Sequence, residues 1–81
     1  MYYVYILRSL KDGKHYIGST DNLARRIKEH NVGKTISLKR RLPLRLIYQE
    51  EYSTRVEAAK REKTIKSYKG GNAFKRLIKG P

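Results

Sequence analysis

Tyr2-Tyr3-Val4-Tyr5-Ile6-Leu7, then Lys11-Asp12-Gly13-Lys14, then His15-Tyr16-Ile17-Gly18: this stretch decides how the rest of the chain is arranged. Both alternating sets of the first run, Tyr3/Tyr5/Leu7 and Tyr2/Val4/Ile6, are aromatic or aliphatic, the pattern of a strand covered on both faces. A central strand is therefore predicted. Lys11 to Lys14 has turn chemistry around Gly13, and strand character resumes soon enough to close an antiparallel hairpin. Tyr5 and Tyr16 then stand in neighbouring strands.

Beyond the hairpin, Ser19-Thr20-Asp21-Asn22 offers several N-cap oxygens, and Leu23, Ala24 and Ile27 predict a first helix reaching about Asn31. Gly33 to Pro43 shows no period and reads as a mobile basic loop carrying Lys34, Lys39, Arg40 and Arg41. Leu44 to Tyr52 is a third strand. Thr54 and Glu57 are spaced as a capping box, opening a second helix through Val56, Ala58, Ala59, Glu62 and Ile65 that stops near Lys69-Gly70-Gly71. Asn72 is placed to cap a short last helix, where Phe74, Leu77 and Ile78 recur at helical spacing. The expectation is an α+β fold: one domain over residues 1–81, with a three-stranded, mainly antiparallel sheet flanked by about three helices.

Twenty Lys+Arg against seven Asp+Glu give a net charge of +13, spread along all 81 residues. A polyphosphate partner is implied, since such a surface gains from counterion release. A membrane surface is the weaker alternative, because no basic amphipathic helix with exposed Trp, Phe or Leu is visible. The absence of cysteine excludes disulfides, thiolate metal sites and a cysteine nucleophile, and suits a reducing compartment. The apolar N-terminus meets Arg8 and Lys11 well short of the ~18 residues of a membrane span. A cytoplasmic protein is expected, nuclear if eukaryotic.

Some residues break the local pattern. Glu62 falls four residues after Ala58 and three before Ile65, on the face that should pack against the sheet. An ion pair with Lys66 would explain it, and so would chemistry. Arg26 lies three residues after Leu23 and shares a face with His30, whereas Arg25 reads as solvated. His15 and His30 carry little signal alone. Tyr5 and Tyr16 could be an ordinary cross-strand pair, contributing about 0.2–1 kcal/mol. Gly18 removes a side chain where strand gives way to helix, so that a phosphate could approach closely.

Tyr3-Val4-Tyr5 and Tyr16-Ile17-Gly18, followed by Arg26, His30 and Glu62, resemble the GIY-YIG nuclease superfamily over nearly the whole chain. Val4 to Ser9, Tyr16 to Thr20 and Arg61-Glu62-Lys63 look most like its stand-alone, mostly bacterial members. The chain departs from the family name in having Tyr3 where the first triplet has glycine. Asn72 is the one candidate for the family's late active-site asparagine, and its context already explains it as a helix cap.

The resemblance implies the GIY-YIG fold and a metal-dependent endonuclease acting on phosphodiester bonds, in DNA (branched or damaged DNA included) ahead of RNA. Glu62 would hold one divalent ion, Mg2+ or Mn2+, and Arg26 would neutralise transition-state charge. Tyr5 would act as base or orient the water, Tyr16 would bind the water or a phosphate oxygen, and His30 would bind phosphate or relay a proton. These five positions are expected to converge on one face, where Arg26, the metal and the positive excess should lower the Tyr5 pKa from about 10. Nucleic-acid contacts are expected at Gly18, Lys34, Lys39, Arg40 and Arg41. A non-catalytic DNA- or RNA-binding module is the main alternative, and a recruiting scaffold a third. A homodimer or protein partner could help to hold two strands, although the sequence marks no interface.

Overall fold

A computed structural model describes residues 1–79. Strand β1 (Tyr2–Ser9) forms the middle of a three-stranded antiparallel sheet, between β2 (His15–Thr20) and β3 (Leu44–Tyr52). Helix α1 (Leu23–Asn31) follows β2, and α2 (Arg55–Ser67) and α3 (Asn72–Lys79) follow β3. The expected α+β architecture is present. Alternation along β1 sends Tyr5 and Leu7 into a cluster with Leu38 and Leu44 on the α1 side, and Val4 and Ile6 into one with Ala58, Ile65 and Phe74 on the α2 side. Val4, Ile6 and Leu7 are fully buried, which is why both faces of this strand had to be apolar.

The Gly33–Pro43 segment corrects the loop expectation. Ile36–Arg41 is a 3₁₀ helix, anchored by buried Leu38. One apolar anchor among cations leaves no period to detect. In α1 the cap is Asn22, whose Oδ1 accepts from the Arg25 N–H at 3.0 Å, while Ser19 and Thr20 remain in β2. The inward face is Leu23, Arg26, Ile27 and His30, and Ala24 is exposed.

Thr54 caps α2 as expected, accepting from the Glu57 N–H at 3.2 Å, but Val56 and Ala59 face solvent. Ala58, Arg61, Glu62 and Ile65 turn inward. Asn72 is the first residue of α3 and not its cap: Gly71 takes that place, its carbonyl accepting from the Lys75 N–H at 3.0 Å.

Two details set the faces of β3. Asn31 binds the backbone of Leu44 through both ends of its amide, at 2.8 and 3.1 Å, fixing the end of α1 to the start of the strand. The register then shifts, because Leu7 pairs with Leu46 and Ile6 with Tyr48, leaving Ile47 as an extra residue. Such a bulge transfers the following even-numbered side chains to the other face. Leu44 and Leu46 therefore face α1, whereas Tyr48, Glu50 and Tyr52 face α2.

Candidate active site

Tyr5 stands directly opposite Gly18, and its phenol lies across the glycine. A Cβ at residue 18 would come within 2.5 Å of the Tyr5 oxygen and 3.2 Å of the Tyr16 ring. The glycine is therefore required, but the expected phosphate approach is replaced: Tyr5 fills the space. Tyr16, opposite Leu7, sits diagonally on the same face, with ring centroids 6.3 Å apart. From α1, His30 meets Tyr16 edge-on at 5.2 Å and places Nε2 3.0 Å from the Tyr5 hydroxyl. Its Nδ1 lies 2.7 Å from the Thr35 hydroxyl. His30 is buried, as Tyr5 is, and both its ring nitrogens are already engaged by Tyr5 and Thr35, an arrangement that suits the proton relay better than a phosphate contact.

Electrostatics at this pair run against the sequence expectation. Burial pushes the Tyr5 phenol up to about 12, with a further rise from Tyr16, and Arg26 offsets only part of it. Burial, reinforced by Arg26, holds His30 below the usual imidazole range. A neutral phenol beside a neutral imidazole donates to Nε2, and Nδ1–H then donates to Thr35. Arg26 itself is partly exposed, with Nη1 3.3 Å from Glu29 Oε1.

Glu62 belongs to the opposite layer. Its Oε1 accepts from the Ser19 hydroxyl at 2.6 Å and its Oε2 from the Lys66 ammonium at 2.6 Å. Ser19 pairs with Val4 and so points toward α2. Four of the five expected residues thus share the α1 face, and Glu62 approaches from the other side, at the edge of β2. A cavity of about 290 Å³ joins the two sides there, since Arg26 and Ser19 both line it. Glu62 is near enough for its charge to add to the rise at Tyr5.

Among the described residues no three His, Cys, Asp or Glu side chains cluster as a metal cage. A single carboxylate nevertheless fits Mg2+, which commonly takes one or two protein carboxylates and completes its shell with water and substrate phosphate. Lys66 would have to yield its place.

The other expected residues are dispersed. Lys34, Lys39 and Arg40 are exposed on or before the 3₁₀ helix, and Arg41 is half-buried beside Asp12 at 3.9 Å. Asn72 is exposed on α3. Ser19 and Thr35 were missed, although Ser19 could have been found: the residue after Gly18 must point to the opposite face.

Residues 1–75 match the GIY-YIG catalytic domain family. A UPF0213 protein of Staphylococcus saprophyticus is 38% identical over 80 residues, covering 98% of this chain and 96% of its own length. One from Staphylococcus haemolyticus is 44% identical over 68 residues, covering 83% and 82%. The solution NMR structure of a UPF0213 protein from Bacillus halodurans is 37% identical, with a TM-score of 0.49 and 90% of each chain covered. With the family match running from β1 into α3, and with both tyrosine triplets, Arg26 and Glu62 inside it, this chain belongs to the GIY-YIG family.

Proposed function

We propose that this protein is a metal-dependent endonuclease that hydrolyses phosphodiester bonds, with DNA as its expected polymer. The observation that carries the reading is Glu62, an acid on a packing face of a chain with a net charge of +13, held among the described residues by one hydroxyl and one lysine. A protein that merely bound phosphate would bind it better without that charge. Glu62, with Ser19 beside it, would hold the ion. When bound, Mg2+ or Mn2+ polarises a phosphoryl oxygen and stabilises the leaving oxygen.

The remaining chemistry belongs to the chain. Tyr5 orients the attacking water and takes its proton as the water oxygen bonds to phosphorus, while its own phenolic proton passes to His30 Nε2. The 3.0 Å contact supports that transfer, and the neutral state of His30 leaves Nε2 free to accept. With a pKa of about 12, Tyr5 would be a poor base alone, so the histidine is what makes it usable. Arg26 offsets the charge that develops on the phosphoryl oxygens, and Tyr16 offers its hydroxyl to the water or a phosphate oxygen. The P–O ester bond breaks, and the departing oxygen is protonated from solvent. No helix among the described residues is long and apolar enough to cross a membrane. The similar proteins are bacterial, and cytoplasmic nucleic acid is the target expected for this reading.

Incubating the pure protein with supercoiled plasmid, branched DNA and structured RNA tests this. Cleavage of at least one substrate with Mg2+ or Mn2+, and none in EDTA, is expected. Retained binding with no cleavage under either metal would overturn the reading in favour of a non-catalytic module.

A further inference from the structure

Edge strand β2 and helix α2 run side by side in opposite directions. Ala58 shares a cavity with Ser19 and Thr20, Glu62 bonds Ser19, and Lys66 shares a second cavity with His15 and Ile17. Ala58, Glu62 and Lys66 lie on successive turns of one helix face, spanning about 12 Å. The two cavities therefore lie at opposite ends of the β2–α2 seam, with the Ser19–Glu62 contact between them, and we call the surface along that seam the β2–α2 groove.

Both ends are cationic. Arg25, Arg26 and Arg55 line the first, where Asp21 is the only acid and is paired with Arg25 at 3.2 Å. Arg55 lies over the Tyr2 ring, 5.6 Å from its centroid. The second, of about 510 Å³, is lined by Lys14, Arg41, Lys66 and Lys69 with no acid, over Ile17 and Phe74.

Resting on the reading of Glu62 as the reacting centre, we propose that the β2–α2 groove takes one nucleic-acid strand lengthwise. A phosphate on one side of the cut lies in the arginine basin and one on the other side in the lysine basin. At about 3.4 Å of rise per nucleotide along a strand, 12 Å is roughly three to four phosphate steps, so that with the scissile phosphate at Glu62 a phosphate about two steps away on either side reaches an end. A phosphate in the lysine basin also competes for Lys66, so that strand binding frees the carboxylate. Lys34, Lys39 and Arg40, the cations the sequence favoured, line neither end.

The test is binding of the full chain to a fluorescently labelled single-stranded oligonucleotide in EDTA, followed by anisotropy across a salt series. Arg55→Gln with Lys69→Gln removes one cation from each end. Lys28→Gln with Lys60→Gln removes the same charge about 200° round α1 and α2 from Arg26 and Glu62. All four residues are exposed. The groove pair should reduce the slope of log K against log salt by about 1.4, at about 0.7 per lost phosphate contact, and the control pair by less than about 0.5. Equal losses from both pairs, or none from the groove pair, would overturn the strand path. Because EDTA removes catalysis, the outcomes separate: a lost slope in a protein that never cleaves would refute the nuclease reading alone. An unchanged slope in a protein that cleaves would refute the groove alone.

Discussion

Glu50 and Glu62 project into the same layer, between the sheet and α2, and the fold treats them in opposite ways. Glu50 accepts from Arg61 at 2.9 and 3.1 Å, from the Tyr52 hydroxyl at 2.6 Å and from the Tyr48 hydroxyl. Four donors fill the roughly four acceptor directions a carboxylate has. Burial works against its charge, but Arg61 and the two tyrosines prevail and hold the carboxyl below its ordinary range. Glu62 has one hydroxyl and one lysine, and directions to spare beside a groove. The neighbouring positions 61 and 62 divide the work: Arg61 ties α2 to β3 through Glu50, and that anchoring aims Glu62 at β2. A closed acid holds the structure, and an open one is available for chemistry.

Stability should separate them most. Glu50→Ala takes the acceptor from Arg61 Nε and Nη2 and from two tyrosine hydroxyls, leaving Arg61 only its 3.5 Å contact with Tyr68, at a cost of about 2–3 kcal/mol after allowance for partial exposure. In a domain of this size that lowers Tm by roughly 10–20 °C in thermal unfolding, whereas Glu62→Ala should cost under about 1 kcal/mol. Equal losses would erase the distinction.

Acid should act next, in two stages. Burial, helped by Arg26, lowers His30 from 6.5, and partial desolvation with Arg8 lowers the more exposed His15, so the unfolded chain takes up the extra protons as pH falls below about 6.5. Stability that is full above that pH is lost on the way down to the folded values. Glu50 adds a second loss below 4.5, because its folded value is lowered. In Tm measured against pH, His30→Gln should flatten part of the upper stage and Glu50→Gln the lower one. A lower stage unchanged in Glu50→Gln would contradict the closed-acid description. The smallest effect is expected from Lys66→Gln. It removes a largely exposed ion pair and should change stability by about 0.5 kcal/mol or less in denaturant titration.

The sequence made one half of this comparison legible and hid the other. Glu62 stood out because a helical period placed an acid among Ala58 and Ile65. Glu50 did not: alternation alone would put it on one face with Leu44, Leu46 and the tyrosines, and the bulge at Ile47, which no residue pattern marks, is what parts it from the two leucines and turns it toward α2. The hairpin that sets Tyr5 beside Tyr16 and the bounds of β3 followed from period and turn chemistry, whereas the place of His30 with the two tyrosines came from the family resemblance. Helical period gives the face of a helix, but not the side of the sheet to which that helix crosses, so the separation of Glu62 from the α1 group stayed hidden. The rise at Tyr5 was missed for a related reason: the cations were countable, but the depth of burial was not.

The most direct test of the central claim is the single-turnover cleavage rate of wild type and Glu62→Gln, with Mn2+ and on the same labelled substrate, with Tm recorded for both. The rate should fall about 10²–10³-fold, with Tm unchanged to within a few degrees. Cleavage by Glu62→Gln at the wild-type rate would place the open carboxylate outside the chemistry and contradict the account.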